Sequence, residues 1–200
     1  MCSSDLTHGI PEDASLVLFC GRKEQGKGVQ ETIEAMVRLW QQGSSAHLVL
    51  AGGATDFSTC HLPPFISRIP AAWRARVVVR DDVTEAEKWG WYEACDVMAH
   101  PSHVESFGLV YLEAWSCGKP VIGGRTGPQA ALIEEGVDGY LVKPRSAQEL
   151  AAAIRRVLDD PERARRLGEA GRQKVLREYT WDRVVDRAEA LYQSLVAGSS

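Results

Sequence analysis

Two glutamates with seven residues between them, Glu105 and Glu113, are the first candidates for chemistry. Glu105 follows a predicted strand, in a loop at the mouth of the sheet, whereas Glu113 lies in an otherwise apolar helix between Leu112 and Ala114. A carboxylate in an apolar helix is costly to bury, so we expect it to be paired, hydrogen-bonded or functional. Ribose hydroxyls are suitable donors to it. The alternative is a helix-surface glutamate that pairs with a neighbouring side chain.

A glycine-rich turn, Gly21–Gly28, follows the first predicted strand and contains Arg22, Lys23 and Lys27. It matches the phosphate-binding pattern G-x-x-x-x-G-K, but Gly28 stands where that pattern requires a Ser or Thr hydroxyl for Mg²⁺. This argues against an NTPase, and the glycine spacing also differs from the dinucleotide pattern G-x-G-x-x-G. The turn still places cations near a helix N-terminus, which favours an anion. A surface turn with solvated bases is an equal alternative.

The residues Ser106–Leu109 form a second candidate anion site. They begin a predicted helix, where backbone N–H groups have no intrahelical partner and point towards a ligand. This site lies across the mouth of the predicted sheet from Arg22 and Lys27. Because two anion sites border one crevice, we expect a diphosphate as the ligand.

These residues are positioned by short apolar strands that alternate with longer helical patterns, as in βαβ units with a parallel sheet. The predicted strands are Leu16–Cys20, His47–Ala51, Val77–Val79, Val97–Ala99, Pro120–Ile122 and Tyr140–Val142. The predicted helices are Val29–Trp40, Glu85–Ala94, Leu109–Ser116, Gln129–Glu134, Ala147–Asp159, Pro161–Tyr179 and Trp181–Val196, with His61–Arg74 irregular or broken. The predicted fold class is α/β: a Rossmann-like, doubly wound, parallel six-stranded sheet with helices on both faces and extra C-terminal helices.

Composition excludes several classes of function. The 200 residues carry 23 Lys and Arg against 27 Asp and Glu, and this net charge of −4 argues against nucleic acid as a partner. No apolar run approaches the roughly 20 residues of a membrane-spanning helix. The cysteines are scattered without a C-x-x-C pair and the first residues lack a secretory signal, so we expect a cytoplasmic protein. His100 and His103 lack the further ligands of a metal site.

Several of these motifs together resemble the retaining family-4 glycosyltransferases of GT-B fold. The resemblance is carried by the E-x7-E motif from Glu105 to Glu113 with its Ser-Phe-Gly core, by Glu-Ala-x-x-Cys-Gly-Lys-Pro-Val-Ile at 113–122, and by the turn Gly21–Gly28. It covers Leu16–Tyr192 and implies the C-terminal, nucleotide-sugar-binding domain of such an enzyme. The chain departs from the family at 127–131, where Gly-Pro-Gln-Ala-Ala replaces the frequent Gly-Gly-x-Pro-Glu.

The resemblance also implies roles for individual residues. Arg22 and Lys27 would hold the pyrophosphate of a nucleotide-sugar, as catalytic residues that assist the leaving group. Glu105, the third catalytic candidate, would face the donor sugar, and Glu113 would bind the ribose hydroxyls. The other binding residues implied are Gly21 in the turn, Ser106 and Phe107 at the pocket floor, Gly108 and Leu109 as amide donors, and Arg80 and Asp81 beside the base.

The resemblance further implies the domain organisation. Residues 10–197 would form the donor domain, residues 1–9 a non-native or disordered leader, and the N-terminal acceptor domain would be missing, which leaves the chain inactive alone. The donor would be UDP-, GDP- or ADP-linked, with no cofactor or metal. Alternatives are a nucleotide-binding module without activity of its own and, third, a P-loop-like NTPase. Peripheral membrane association through the arginines of 162–178 is a further expectation, although interleaved glutamates favour a solvated helix.

Overall fold

A computed structural model describes residues 9–197 of the protein, so the predicted leader, apart from Gly9, lies outside the described residues. The strands are β1 (Leu16–Cys20), β2 (His47–Gly52), β3 (Val77–Asp81), β4 (Val97–His100), β5 (Val121–Gly124) and β6 (Gly139–Val142). They form one parallel sheet in the order β3-β2-β1-β4-β5-β6. The predicted fold class is confirmed.

Helices cover both faces of this sheet. They are α1 (Val29–Gln41), α2 (Asp56–Cys60), α3 (Leu62–Ser67), α4 (Ala71–Arg74), α5 (Glu85–Ala94), α6 (Leu109–Ser116), α7 (Gly127–Leu132), α8 (Ala147–Leu158), α9 (Pro161–Glu178) and α10 (Trp181–Ala197). Alternate residues of β1 enter different cores: Val17 and Phe19 join α1 and α8, whereas Leu16 and Leu18 join α5 and α6. Burial on both faces explains why the strands are continuous apolar runs.

Strands β3 and β5 each end two residues later than predicted, and two further segments differ from the sequence prediction. Helix α7 begins and ends two residues earlier than predicted, because Pro128 lies in its first turn and Ile133 is already extended. The stretch 61–74, predicted as irregular or broken, contains the short helices α3 and α4, and α2 precedes them. Prolines begin these helices instead of preventing them: α3 has proline in its first turn, and Pro70 is the N-cap of α4.

The two C-terminal helices differ in burial. Helix α9 packs against α6, and its arginines Arg166 and Arg172 pair with glutamates one turn away, as on a solvated helix face. Helix α10 exposes most of its side chains, including Trp181 and Tyr192. Within residues 9–197, none of the helices has the length and apolar character needed to cross a membrane.

Strands β1 and β4 are neighbours, although β2 and β3 separate them in the sequence. The chain therefore builds one half of the sheet outwards from β1, returns to the centre at β4, and builds the other half in the opposite direction. The loops that follow β1 and β4 leave the same carboxyl edge side by side. In open α/β sheets, such a switch in strand order is the usual position of a ligand crevice.

Lys23 is a buried cation that ties the turn after β1 to the two strands beyond it. Its Nζ donates to the carbonyl oxygens of Gly52 (2.6 Å) and Arg80 (3.0 Å) and lies 2.8 Å from Oδ1 of Asp81. The side chain is fully buried, and these three partners match the three N–H groups of an ammonium. The prediction that Lys23 contributes a cation to an anion site is therefore wrong, because its charge is used inside the fold.

We expect Lys23→Met to lower the free energy of unfolding by about 1–3 kcal/mol, because two carbonyl groups and a carboxylate lose their donor. Chemical denaturation followed by circular dichroism measures this change. Arg22→Met is the matched control, since the adjacent Arg22 side chain is 67% exposed and pairs with the surface residue Glu24. Equal stability of the two variants would contradict the structural role of Lys23.

Candidate functional site

The turn after β1 and the loop after β4 are in direct contact. The carbonyl oxygen of Gly26 accepts hydrogen bonds from the amides of His103 (3.0 Å) and Val104 (3.3 Å). Gly28 has a φ of +81°, and a Cβ there would lie 2.7 Å from the carbonyl oxygen of Pro101. Glycine is therefore required at position 28 both for its backbone conformation and for the close approach of the two loops.

An ion pair between Lys27 and Glu105 joins these two loops. Lys27 Nζ lies 3.0 Å from Oε2 of Glu105 and donates to the carbonyl oxygen of Val104 at 2.9 Å. The side chains are 15% and 11% exposed, so the pair is largely shielded from water. Nε2 of His100 lies 3.5 Å from the same carboxylate oxygen. The interactions with His100 and Lys27 lower the pKa of Glu105 to about 2.

His100 is a buried residue at the end of β4 that packs next to the Glu105 carboxylate. Its ring is buried between the rings of Phe19 and Tyr111, and the His100 and Phe19 ring centroids are 5.0 Å apart. The Tyr111 hydroxyl also donates a hydrogen bond to the His100 carbonyl oxygen at 2.6 Å. Burial lowers the pKa of His100 below its usual value despite the nearby Glu105, so the imidazole is neutral at pH 7. Gly21, at a φ of +142°, passes so close that a Cβ would lie 3.0 Å from this ring.

The second glutamate of the motif, Glu113, lies on α6 and is held by two residues of α5. Its Oε1 accepts a hydrogen bond from Lys88 Nζ at 3.0 Å, and its Oε2 accepts one from the Tyr92 hydroxyl at 2.8 Å. The Glu113 side chain is 24% exposed, so it is only partly buried. The expectation that this carboxylate is paired is confirmed, but neither partner was predicted from the sequence.

The start of α6 presents a mixed polar and apolar surface. The amide of Ser106 donates to Oε1 of Glu105 at 3.1 Å, and Gly108 caps the helix with a φ of +99°. Phe107 and Leu109 are exposed, and the Phe107 ring meets Tyr179 edge-on with centroids 6.0 Å apart. The first amides of α6 have no partners within the helix, which makes this end electropositive.

The other predicted site residues do not take part in the contact between Lys27 and Glu105. Arg22 is exposed in the turn after β1, where its guanidinium lies 3.0 Å from Oε1 of Glu24. At the end of β3, Arg80 Nη2 donates to Oε1 of Glu87 at 3.0 Å, which directs the guanidinium towards α5. The Asp81 carboxylate pairs with Lys23 and is 48% exposed. Arg80 and Asp81 therefore both belong to the edge of the crevice next to β2.

Gln129, in the segment 127–131 where the chain departs from the family, has a defined structural role. It is fully buried on α7, its Oε1 accepts from the Thr126 hydroxyl at 2.5 Å, and its Nε2 donates to the carbonyl oxygen of Ser102 at 2.9 Å. A glutamate carboxylate could not donate to that carbonyl. The glutamine thus ties α7 to the loop after β4. In residues 9–197, no group of three or more His, Cys, Asp or Glu side chains could hold a metal ion.

The Lys27–Glu105 pair predicts a distinctive pH dependence of stability. Because the pKa of Glu105 falls from 4.5 to about 2 on folding, its contribution is present above pH 4.5 and is lost as pH falls towards 2. Lys27→Met should raise the pKa values of both Glu105 and His100. The variant should therefore be less stable at pH 7, and its deficit should shrink as pH falls from 4.5 towards 2, where Glu105 of the wild type also becomes protonated.

Urea denaturation at a series of pH values measures this effect. Arg22→Met is again the control, because Arg22 pairs with Glu24 and should leave the pH profile of the wild type unchanged. Parallel stability profiles of wild type and Lys27→Met would show that Lys27 does not set the charge state of Glu105.

Comparisons with known proteins bear on this geometry. The family model of glycosyl transferases group 1 matches residues 5–174. A D-inositol 3-phosphate glycosyltransferase of Xylanimonas cellulosilytica is 34% identical over 174 residues, 87% of this chain and 41% of that protein. The C-terminal domain of a glycosyl transferase group 1 family protein from Francisella tularensis has a TM-score of 0.76 at 26% identity, covering 84% of this chain and 87% of that one.

A further solved structure similar to this chain is the Anabaena protein HepE in complex with UDP and glucose, with a TM-score of 0.78 at 25% identity over 97% of this chain and 51% of that one. The chain spans less than half the length of the curated relatives it matches, 41% to 46%. The family model covers most of the chain, and a relative above 30% identity agrees with it. The chain therefore belongs to the glycosyl transferases of group 1.

Proposed function

We propose that the chain binds a nucleotide-diphosphate sugar in the crevice between the turn after β1 and the loop after β4. With an N-terminal acceptor domain, it would transfer the glycosyl group with retention of configuration. The observation that carries this proposal is the contact of the two loops through Lys27 and Glu105, directly before the N-terminus of α6. The UDP and glucose complex of HepE supports a nucleotide-sugar as the ligand.

The diphosphate would lie at the electropositive part of the crevice. Arg22 is exposed and would exchange its surface partner Glu24 for the ligand, Lys27 is anchored by Glu105, and the amides of Gly108 and Leu109 at the start of α6 complete the set. Cleavage of the sugar–phosphate bond builds negative charge on the leaving diphosphate. Preorganised cations and amides stabilise that charge more in the transition state than in the ground state. Transfer without a divalent cation is part of this proposal.

Each of the two glutamates would contact a different part of the donor. Glu105, fixed by Lys27 and His100, would face the donor sugar near its reacting carbon. Glu113, one helix turn along α6, would accept hydrogen bonds from the ribose hydroxyls. Gly21 would let the turn approach the ligand, Ser106 and Phe107 would shape the pocket floor, and Arg80 and Asp81 would flank the base.

We also propose that residues 10–197 are the donor domain of a two-domain enzyme that acts in the cytoplasm. Similarity to the separately solved Francisella tularensis C-terminal domain supports this division, as does the coverage of less than half of the longer relatives. The second candidate function is a nucleotide-binding module that cannot catalyse alone. An NTPase is disfavoured because Gly28 has no hydroxyl and Lys27 is already paired with Glu105.

We expect at least one of UDP, GDP and ADP to bind at millimolar or lower concentration in calorimetric titrations. Lys27→Met should weaken this binding by about tenfold, the effect of losing one charge-assisted contact to phosphate. Lys143→Met is the control, since this exposed lysine pairs with Glu149 at the end of β6. Absence of binding, or equal affinity of wild type and Lys27→Met, would contradict the proposed site.

The same titration in the presence of EDTA distinguishes the glycosyltransferase hypothesis from the NTPase hypothesis. Nucleotide affinity should be unchanged by the chelator, because cations of the protein and α6 amides hold the diphosphate. Loss of binding on chelation would instead favour a Mg²⁺-dependent nucleotide site. Glycosyl transfer or donor hydrolysis by the chain alone would contradict the view that it needs a partner domain.

A further inference from the structure

The Glu113 carboxylate is held from one side by a pair of α5 residues that the proposed function does not use. Lys88 and Tyr92 are one helix turn apart, and each donates to a different oxygen of Glu113, at 3.0 Å and 2.8 Å. The two contacts together fix both the position and the rotation of the carboxylate. A glutamate with only one partner would keep rotational freedom that ligand binding must remove.

Tyr92 provides the rigid half of this arrangement. Its side chain is fully buried, and it packs in the same core as Cys20 and Trp91. Burial raises the pKa of Tyr92 well above its usual value, so the hydroxyl keeps its proton and remains a donor. The bond from Tyr92 to Oε2 of Glu113 therefore links the carboxylate to the core of the domain.

Lys88 provides the charged half. Its Nζ lies 3.0 Å from both Glu113 Oε1 and Glu85 Oε2, and its side chain is 19% exposed. Burial alone would lower the pKa of Lys88, but the hydrogen bonds to Glu113 and Glu85 outweigh burial and raise it. Lys88 thus stays cationic and balances the negative charge of Glu113.

The carboxylate retains acceptor capacity for a ligand. Two carboxylate oxygens offer about four lone-pair directions, and the bonds from Lys88 and Tyr92 occupy two of them. Because Glu113 is 24% exposed, solvent or a ligand can reach the remaining directions. A ribose presents two adjacent hydroxyl donors, which is the number of directions left.

We propose that Lys88 and Tyr92 are positioning residues that hold Glu113 to select ribonucleotides over 2′-deoxyribonucleotides. This inference rests on the proposed function, because it takes the ribose of the nucleotide donor as the ligand of Glu113. Discrimination between ribose and 2′-deoxyribose would then depend on α5, an element that the E-x7-E motif does not include. The opposite possibility is that Lys88 competes with the ribose for Glu113 and must be displaced on binding.

Calorimetric titration with UDP and 2′-deoxy-UDP, or with the corresponding GDP or ADP pair if wild type prefers guanine or adenine, separates these possibilities. The variants are Lys88→Met, which keeps the apolar stem without the charge, and Tyr92→Phe, which removes only the hydroxyl. Glu85→Gln is the matched control, because it alters the other partner of Lys88 at a carboxylate whose side chain is 80% exposed. Circular dichroism melts verify that each variant is folded.

In wild type we expect the ribonucleotide to bind about tenfold more tightly than its 2′-deoxy form, as for a hydroxyl bonded to a charged group. Lys88→Met and Tyr92→Phe should each weaken the ribonucleotide several-fold and bring the ratio towards one, with little change for the 2′-deoxy form. Glu85→Gln should keep the wild-type ratio. If Lys88→Met fails to fold, the Tyr92→Phe ratio decides the matter alone.

The outcomes also separate this inference from the proposed function. Wild type that binds none of UDP, GDP and ADP contradicts the proposed function, and the inference falls with it. Wild type that binds, with variants that keep the wild-type ratio or weaken both nucleotides equally, overturns the positioning role and leaves the proposed function standing. Tighter ribonucleotide binding by Lys88→Met would overturn it in favour of competition between Lys88 and the ribose.

Discussion

The adjacency of β1 and β4 is the constraint on which the site depends. Because the strand order reverses between them, the glycine turn 21–28 and the loop 101–108 leave the same edge of the sheet as neighbours. The contact at Gly28 and the bonds to the Gly26 carbonyl then lock the two loops together. Residues that are 78 positions apart, Lys27 and Glu105, consequently meet at hydrogen-bonding distance.

The ion pair between Lys27 and Glu105 determines how much positive charge the crevice offers to a ligand. Lys27 is largely shielded from water, and its charge is balanced by Glu105. A bound diphosphate would therefore share the positive charge of Lys27 with the Glu105 carboxylate. The electropositive end of α6 and Arg22, which is exposed and pairs only with the surface residue Glu24, are therefore the more accessible positive parts of the crevice. The fully buried Lys23 holds the scaffold and the partly buried Lys88 holds Glu113, so neither adds charge to the anion site.

Much of the fold followed from local pattern, because strands buried on both faces read as continuous apolar runs and the helices carry ordinary periodicity. The position of Lys27 and Glu105 at one sheet mouth was also predicted, since each residue follows a strand, but their ion pair was not. The roles of Lys23, Lys88 and Gln129 were not predicted either. Each depends on a contact with an element distant in sequence, such as Lys88 with Glu113 across 25 positions, and no spacing rule reports such a contact.

An NMR titration of the isotopically labelled protein with UDP or GDP tests the central claim most directly. Backbone amide shifts report where the ligand lies without requiring catalysis or a partner domain. We expect the largest changes to map to the turn 21–28 and to Ser106–Leu109, with smaller changes around Glu113. Changes that cluster elsewhere, for example at the arginines around Tyr140 on α8 and α9, would contradict a ligand site at the junction of β1 and β4.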